Sequence, residues 1–312
     1  MNVGYDALLI PAFWELTGCI REETVAFASP SPVWWNAVPV ITALRGAFKR
    51  DPKGIRNFDV STGVASKEAV VQGNADVGVC AANALATSSK EQLSKLAVLA
   101  CITRSSGTVS MIAEGKRLDL PRSKIGYVKG TISEFYLISY LRQQKQLALY
   151  NKLDLKALPP FGVPPAFDKK DINVALPWEP FAETLIRACK KMNREILVIR
   201  DPTLYEQQIL LVASQKALAE KRPRVEKFAR LIQGTCAEIE GQRGDAASDL
   251  EKFFKFERGF ISESDAWKQT SFYYVTDKKV IEKGLHQDFE LAAIGGISQG
   301  ATMEELVTTL DI

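Results

Sequence analysis

The stretch Val71-Gln72-Gly73-Asn74-Ala75-Asp76-Val77-Gly78 joins two patterns. Before it, residues 66–72 follow a glycine, Gly63, and read as a helix with Ser66 as the expected cap. Gly73-Asn74 then stops the helix, and residues 76–80 (DVGVC) form a short apolar run bounded by turn residues, which reads as a strand. A helix, a tight turn and a strand in this order are the building unit of an α/β fold.

The same alternation extends outward on both sides. Residues 24–28 (TVAFA) read as a strand that Ser29-Pro30-Ser31-Pro32 breaks. Residues 33–50 read as a helix whose basic residues gather at its end, where the helix dipole favours them, and 58–61 as a second strand. Residues 96–103 (LAVLACIT) are apolar throughout, as in a parallel strand buried on both faces. A second round follows, with strands expected at 109–113, 124–128, 153–158, 172–176 and 195–200, helices at 132–144 and 166–170, and a Pro-rich loop at 159–165. After Pro223 the chain reads as largely helical, at 224–241, 245–255 and 263–268. The rounds resemble each other. Residues 169–176 align with 72–79, with Lys170 standing where Gly73 does and Asn173 where Asp76 does. The expectation is two similar α/β lobes with mostly parallel sheets.

Composition narrows the function. The 312 residues are 46% hydrophobic and 25% charged, which excludes wholesale disorder and leaves room for about two domains. No apolar run reaches the ~18 residues of a membrane-spanning helix. A net charge of +3 is too mild to argue for nucleic acid. The single histidine, His286, excludes a zinc site with several imidazole ligands. The five cysteines form no C-x-x-C pair and are expected to be mostly buried free thiols, and there is no phosphate-binding P-loop. Neither a metal nor a cofactor is expected. Near the N-terminus, residues 7–14 are mostly apolar and Leu16-Thr17-Gly18-Cys19 resembles a bacterial lipobox. Cys19 is then the expected lipidation site and residues 1–23 a signal or extension; a short N-terminal helix is the alternative.

Three segments carry a wider resemblance: Val71 to Gly78, Lys124-Ile125-Gly126-Tyr127-Val128-Lys129-Gly130-Thr131, and Trp178-Glu179-Pro180-Phe181. In their order and spacing the chain resembles the solute-binding proteins of bacterial ABC importers, in the branch that handles nitrate, sulfonates, taurine and thiamine-precursor pyrimidines. The resemblance runs with gaps from about residue 24 to about 241. It implies a two-lobe, type II periplasmic-binding-protein fold with a ligand cleft and two crossover strands. Lobe one would hold residues 24–105 plus 205–312, and lobe two 106–204. It further implies a monomeric, non-enzymatic protein, periplasmic or otherwise extracytoplasmic. This protein would enclose a small organic, anionic ligand by lobe closure and deliver it to ABC permease subunits. Two alternatives stay open: a non-transport ligand sensor, and an enzyme on the same fold, desulfinase-like or pyrimidine-precursor-synthase-like. For the enzyme Cys80 is the candidate nucleophile, without an evident base.

In open α/β sheets ligands sit beyond the carboxyl ends of the strands. That rule selects loops 29–35, 62–66, 81–83, 104–108 and 130–133. The sharpest is Gly130-Thr131-Ile132-Ser133-Glu134. It fits a capping box, and a helix start with close backbone approach is a ready anion site, although an ordinary cap has the same sequence. Gly63 and Ser66 offer a second helix start. A helix end contributes only about 0.3–2 kcal/mol, whereas micromolar affinity needs about 8 kcal/mol, so closure must add further groups. Arg104 is the candidate full charge, or else a hinge arginine. Trp34 and Trp35 could wall the ligand, with Ser31, Asn36 and Asn83 as hydrogen-bonding groups. Trp178 and Glu179 follow a strand, and Glu179 could accept from a ligand amine or pair with a Lys or Arg.

Overall fold

The computed structural model describes residues 24–30, 37–50, 53–303 and 306. Cys19, Ser31, Trp34, Trp35 and Asn36 lie outside the described residues. The strands are β1 (Val25–Pro30), β2 (Ile55–Val60), β3 (Val77–Ala81), β4 (Leu96–Ser105), β5 (Met111–Glu114), β6 (Lys124–Tyr127), β7 (Asp154–Ala157), β8 (Val174–Ala175), β9 (Ile196–Ile199), β10 (Gln207–Ser214) and β11 (Thr270–Val275). They form two sheets, ordered β11-β4-β10-β3-β1-β2 and β7-β6-β8-β5-β9.

The stretch around Gly73 and its counterpart around Lys170 build the same unit in each sheet. Gly73 and Lys170 both take left-handed backbone, at φ 76° and 62°. The amides of Gln72, Gly73, Asn74 and Ala75 donate to Glu68, Val70 and, twice, Ala69. Residue for residue, Lys169, Lys170, Asp171 and Ile172 donate to Pro165, Phe167 and, twice, Ala166. The Asp76 carboxylate then accepts from the Ala26 amide at 2.8 Å, and the Asn173 side-chain oxygen accepts from the Lys124 amide at 2.7 Å. Each bond ties the incoming central strand to its parallel neighbour: β3 to β1, and β8 to β6. Asp and Asn supply the same acceptor, which is why the sequence difference does not disturb the repeat. A left-handed Lys170 costs about 1–2 kcal/mol that Gly73 avoids.

The rest of each sheet repeats too. The central strand has a parallel partner on one side and an antiparallel one on the other, β10 beside β3 and β5 beside β8. Beyond these stand β4 and β9, again antiparallel. The chain passes from β4 into β5, and from β9 back into β10, so the two lobes exchange chain through segments 106–110 and 200–206. Lobe one adds β11 on its edge.

Three expectations change. The apolar strand 96–103 is buried, but β4 runs antiparallel to both neighbours. Burial on both faces makes a strand uniformly apolar whatever its direction. Strands β10 and β11, and the helix Lys278–Ile294, were not read from the sequence. Ser66 does not cap its helix: Thr62 does, accepting from the Ala65 amide at 3.1 Å, and the helix runs Gly63–Val71.

A candidate ligand cleft between the lobes

The carboxyl ends of β3 and β8 occupy equivalent places in the two lobes; β3 leads directly into the helix Ala82–Ala86, and β8 into Phe181–Lys191 after residues 176–180. Asn83 lies in the first of these helices, and Trp178 and Glu179 just before the second. The loop after β6 carries Gly130, and the helix that follows it bonds through Ser133 to the Leu176 carbonyl after β8. Asn83 is 2% exposed, and its Nδ2 donates to the carbonyl oxygen of Gly130 at 3.1 Å, joining lobe one to lobe two. Gly130 has φ 72°, a conformation that turns the chain from β6 into the next helix.

That helix, Ile132–Gln143, has Thr131 as its cap. The capping differs from the expected box. Thr131 Oγ1 accepts from the Ser133 amide rather than from Glu134, and donates to the Val128 carbonyl at 2.7 Å. Glu134 reaches past the cap, and its Oε2 accepts from the Gly130 amide at 2.6 Å. Its other oxygen accepts from the Tyr150 hydroxyl. The positive end of this helix therefore carries a buried carboxylate of its own. The Ser133 hydroxyl is likewise engaged, donating to the Leu176 carbonyl at 2.7 Å and accepting from the Val128 amide at 3.1 Å, so it locks β6 to β8. Ser66 has a parallel role in lobe one. It is fully buried, donates to the Ala28 carbonyl at 2.8 Å and accepts from the Val79 amide at 3.0 Å. Both serines are expected ligand contacts; in the structure both hydroxyls tie neighbouring strands together. Gly63 packs on the end of β3, where a Cβ would lie 3.2 Å from the Cys80 Cα.

Arg104 is half-buried and paired with Glu206, Nε to Oε1 at 2.8 Å. The pair links the end of β4 to the second crossover, and the Thr108 hydroxyl of the first crossover donates to the Gln207 side chain at the start of β10 at 3.1 Å. The Arg104 charge is thus already met within the protein. Glu179 is fully buried and takes the second of its two expected roles. One carboxylate oxygen accepts from Arg200, and the other accepts from the Glu183 amide at 2.9 Å. Burial pushes the Glu179 carboxyl up to about 7, opposed by the Arg200 charge. Arg200 also donates to Ser110 at 2.9 Å, across the two crossovers. Arg200 and Glu206 carry no sequence signal, because Ser110 and Arg104, which they meet, lie 90 and 102 residues away along the chain. Cys80 is fully buried, and burial pushes its thiol up to about 12, so it does not ionise as a nucleophile near neutral pH.

Among the described residues eight buried side-chain polar atoms lack a hydrogen-bond partner, and two of them lie just beyond the ends of β3 and β8. Among the described residues neither Asn83 Oδ1 nor Trp178 Nε1 has a hydrogen-bond partner, although both residues are buried, Trp178 at 5% exposure. Among the described residues no group of three or more His, Cys, Asp or Glu is placed to hold a metal ion.

No protein-family model matches the chain, and a comparison with curated proteins finds no match. Solved structures do match. The periplasmic aliphatic sulphonate binding protein SsuA from Escherichia coli superposes with a TM-score of 0.68 at 16% identity, covering 93% of this chain and 95% of that one. The alkanesulfonate-binding protein SsuA from Xanthomonas axonopodis pv. citri, bound to MOPS, gives 0.74 at 12% identity, covering 92% and 99%. A conserved Candida albicans gene product that exhibits the generic periplasmic binding protein structural fold gives 0.66 at 16% identity, covering 87% and 90%. With two α/β sheets, a repeated helix-turn-strand unit and two crossovers, the chain has the periplasmic binding protein fold.

Proposed function

We propose that this protein is the solute-binding subunit of an ABC importer, capturing a small polar organic ligand by closure of its two lobes. The observation that carries the reading is the Asn83–Gly130 contact: the lobes meet at the carboxyl ends of their strands, where α/β sheets bind ligands. The hydrogen bonds at the two crossovers support closure about an axis through them. Neighbours of the same fold are named as sulfonate-binding proteins, which supports a ligand with an anionic or strongly accepting group. The start of the helix Ile132–Gln143 faces such a group with its N–H dipoles, partly offset by Glu134. The permease would read the closed form, outside the cytoplasm, with Cys19 as the site of a lipid anchor. The expected lobe extents, 24–105 plus 205–312 and 106–204, are part of this proposal, as is action as a monomer without catalysis.

The test is a thermal-shift panel of sulfonates, taurine, nitrate, amino-pyrimidines and small carboxylates. A ligand at ~100 times its Kd adds about 2.7 kcal/mol of stability. For a chain of this length that is a shift of roughly 4 °C. A panel without any shift, together with a small-angle scattering profile unchanged by every compound, would reject the capture role.

A further inference from the structure

Asn83 Oδ1 is an acceptor and Trp178 Nε1–H a donor. Both are buried and lack a partner among the described residues. A buried polar atom left unpaired is costly, and proteins retain few of them. These two are not scattered. Asn83 follows β3 and Trp178 follows β8, the equivalent central strands of the two lobes, so each stands just beyond the carboxyl end of a strand, where α/β sheets bind ligands. Asn83 is fixed by its Nδ2 bond to Gly130, which leaves Oδ1 as the free end of the amide. Trp178 is fixed between the crossover and the lobe. It bridges to Val109, the adjacent Glu179 amide donates to Thr108 at 2.8 Å, and its ring meets Phe181 edge-on.

Charge around the cleft points the same way. The loops 61–63, 81–83, 128–131, 158–162 and 176–179 contain one cation, the exposed Lys129. The guanidiniums nearby are already paired, Arg104 with Glu206 and Arg200 with Glu179. The buried Lys67 amine bonds Ser88 at 2.7 Å and Glu68 at 2.8 Å. An acceptor-only anion such as nitrate or a plain alkanesulfonate would satisfy Trp178 and leave Asn83 Oδ1 unmet.

We infer that Asn83 and Trp178 are paired recognition groups, one from each lobe. They select a ligand that carries a hydrogen-bond donor for Asn83 Oδ1 and an acceptor for Trp178 Nε1. The ligand class is a small zwitterion or an amino-substituted polar molecule. This rests on the capture reading above and narrows it.

The experiment measures Kd by calorimetry on the full chain for matched pairs that differ in the donor: taurine against ethanesulfonate, β-alanine against propionate, and 4-aminopyrimidine against pyrimidine. The expected result is that the donor-bearing member of at least one pair binds about tenfold or more tightly. The Asn83→Leu variant should bring that ratio close to one. Trp178→Phe, which removes only the N–H, should weaken both members by a similar factor. Loss of the Asn83–Gly130 contact alone would weaken both members of a pair equally and leave their ratio intact, so the ratio separates recognition from support of the closed form. Binding without a preference for the donor, or a preference that survives Asn83→Leu, overturns the inference and leaves the capture reading in place. Absence of binding by all six compounds, with no scattering change, overturns both.

Discussion

Asn83 Nδ2 donates to the carbonyl oxygen of Gly130 at 3.1 Å, so a side chain of one lobe holds the backbone of the other. A hydrogen bond of this kind contributes about 0.5–1.5 kcal/mol net. Asn83→Ala should therefore shift the unliganded open-to-closed ratio by roughly two- to tenfold toward the open form. Small-angle scattering or a distance measurement between labelled lobes would show it. An unchanged ratio would mean the contact contributes nothing to closure.

Gly130 takes φ 72°, and a Cβ there would meet nothing within 4 Å. The penalty for a side chain is then backbone conformation alone, about 1–2 kcal/mol. Gly130→Ala should lower stability in denaturant by that amount. A loss well beyond it would show that the loop after β6 is packed more tightly than the space around Gly130 indicates.

Tyr205, at the end of the second crossover, donates its hydroxyl to Asp288 at 2.6 Å, and both side chains are buried. Burial pushes the Asp288 carboxyl up to about 8 from its usual carboxylate range, opposed by the Tyr205 bond. The acid is held in its protonated form by the fold. Its contribution is fully present below about pH 4, where the unfolded chain is protonated too, and is lost as pH rises toward 8. Wild-type stability should fall relative to Asp288→Asn over that window, by up to about 1.4 kcal/mol per pH unit. Denaturant titrations of both proteins at pH 4, 6 and 8 read the difference. Parallel pH profiles would contradict it.

Glu179 is buried against Arg200. Removing one partner of such a pair typically costs about 3–5 kcal/mol, because the other charge is left buried and unpaired. Arg200→Met should show this loss near pH 8 and a smaller one near pH 5, where Glu179, already pushed up to about 7 with Arg200 present, is neutral. A pH-independent loss would point to packing of the Arg200 stem instead. The double variant Arg200→Met, Glu179→Gln should recover part of the stability at high pH.

Much of the fold was readable from local pattern, because local pattern reports local constraint. The turn at Gly73-Asn74 stops a helix by backbone preference alone, and the apolar run 76–80 follows from burial. The likeness of 72–79 to 169–176 survived Lys170 and Asn173, since left-handed backbone and a side-chain oxygen were what each position required. Strand direction was not readable: a strand buried on both faces is apolar whether its neighbours run with it or against it, and β4 runs against both. Nor were the partners of the polar residues. Ser66 and Ser133 look like ligand contacts beside a helix start, yet their hydroxyls close bonds to strands 38 and 43 residues away along the chain. Arg104 and Glu179 look like free charges, yet Glu206 and Arg200 meet them, the first from 102 residues away. Which units form and where they end follows from local propensity and burial, and so is written in the order of residues. Which polar atoms are used up in holding the lobes together, and which, Asn83 Oδ1 and Trp178 Nε1 among them, are left over, is settled by the packing of distant segments. A hydrogen bond depends on distance in space, and one-dimensional spacing does not encode it.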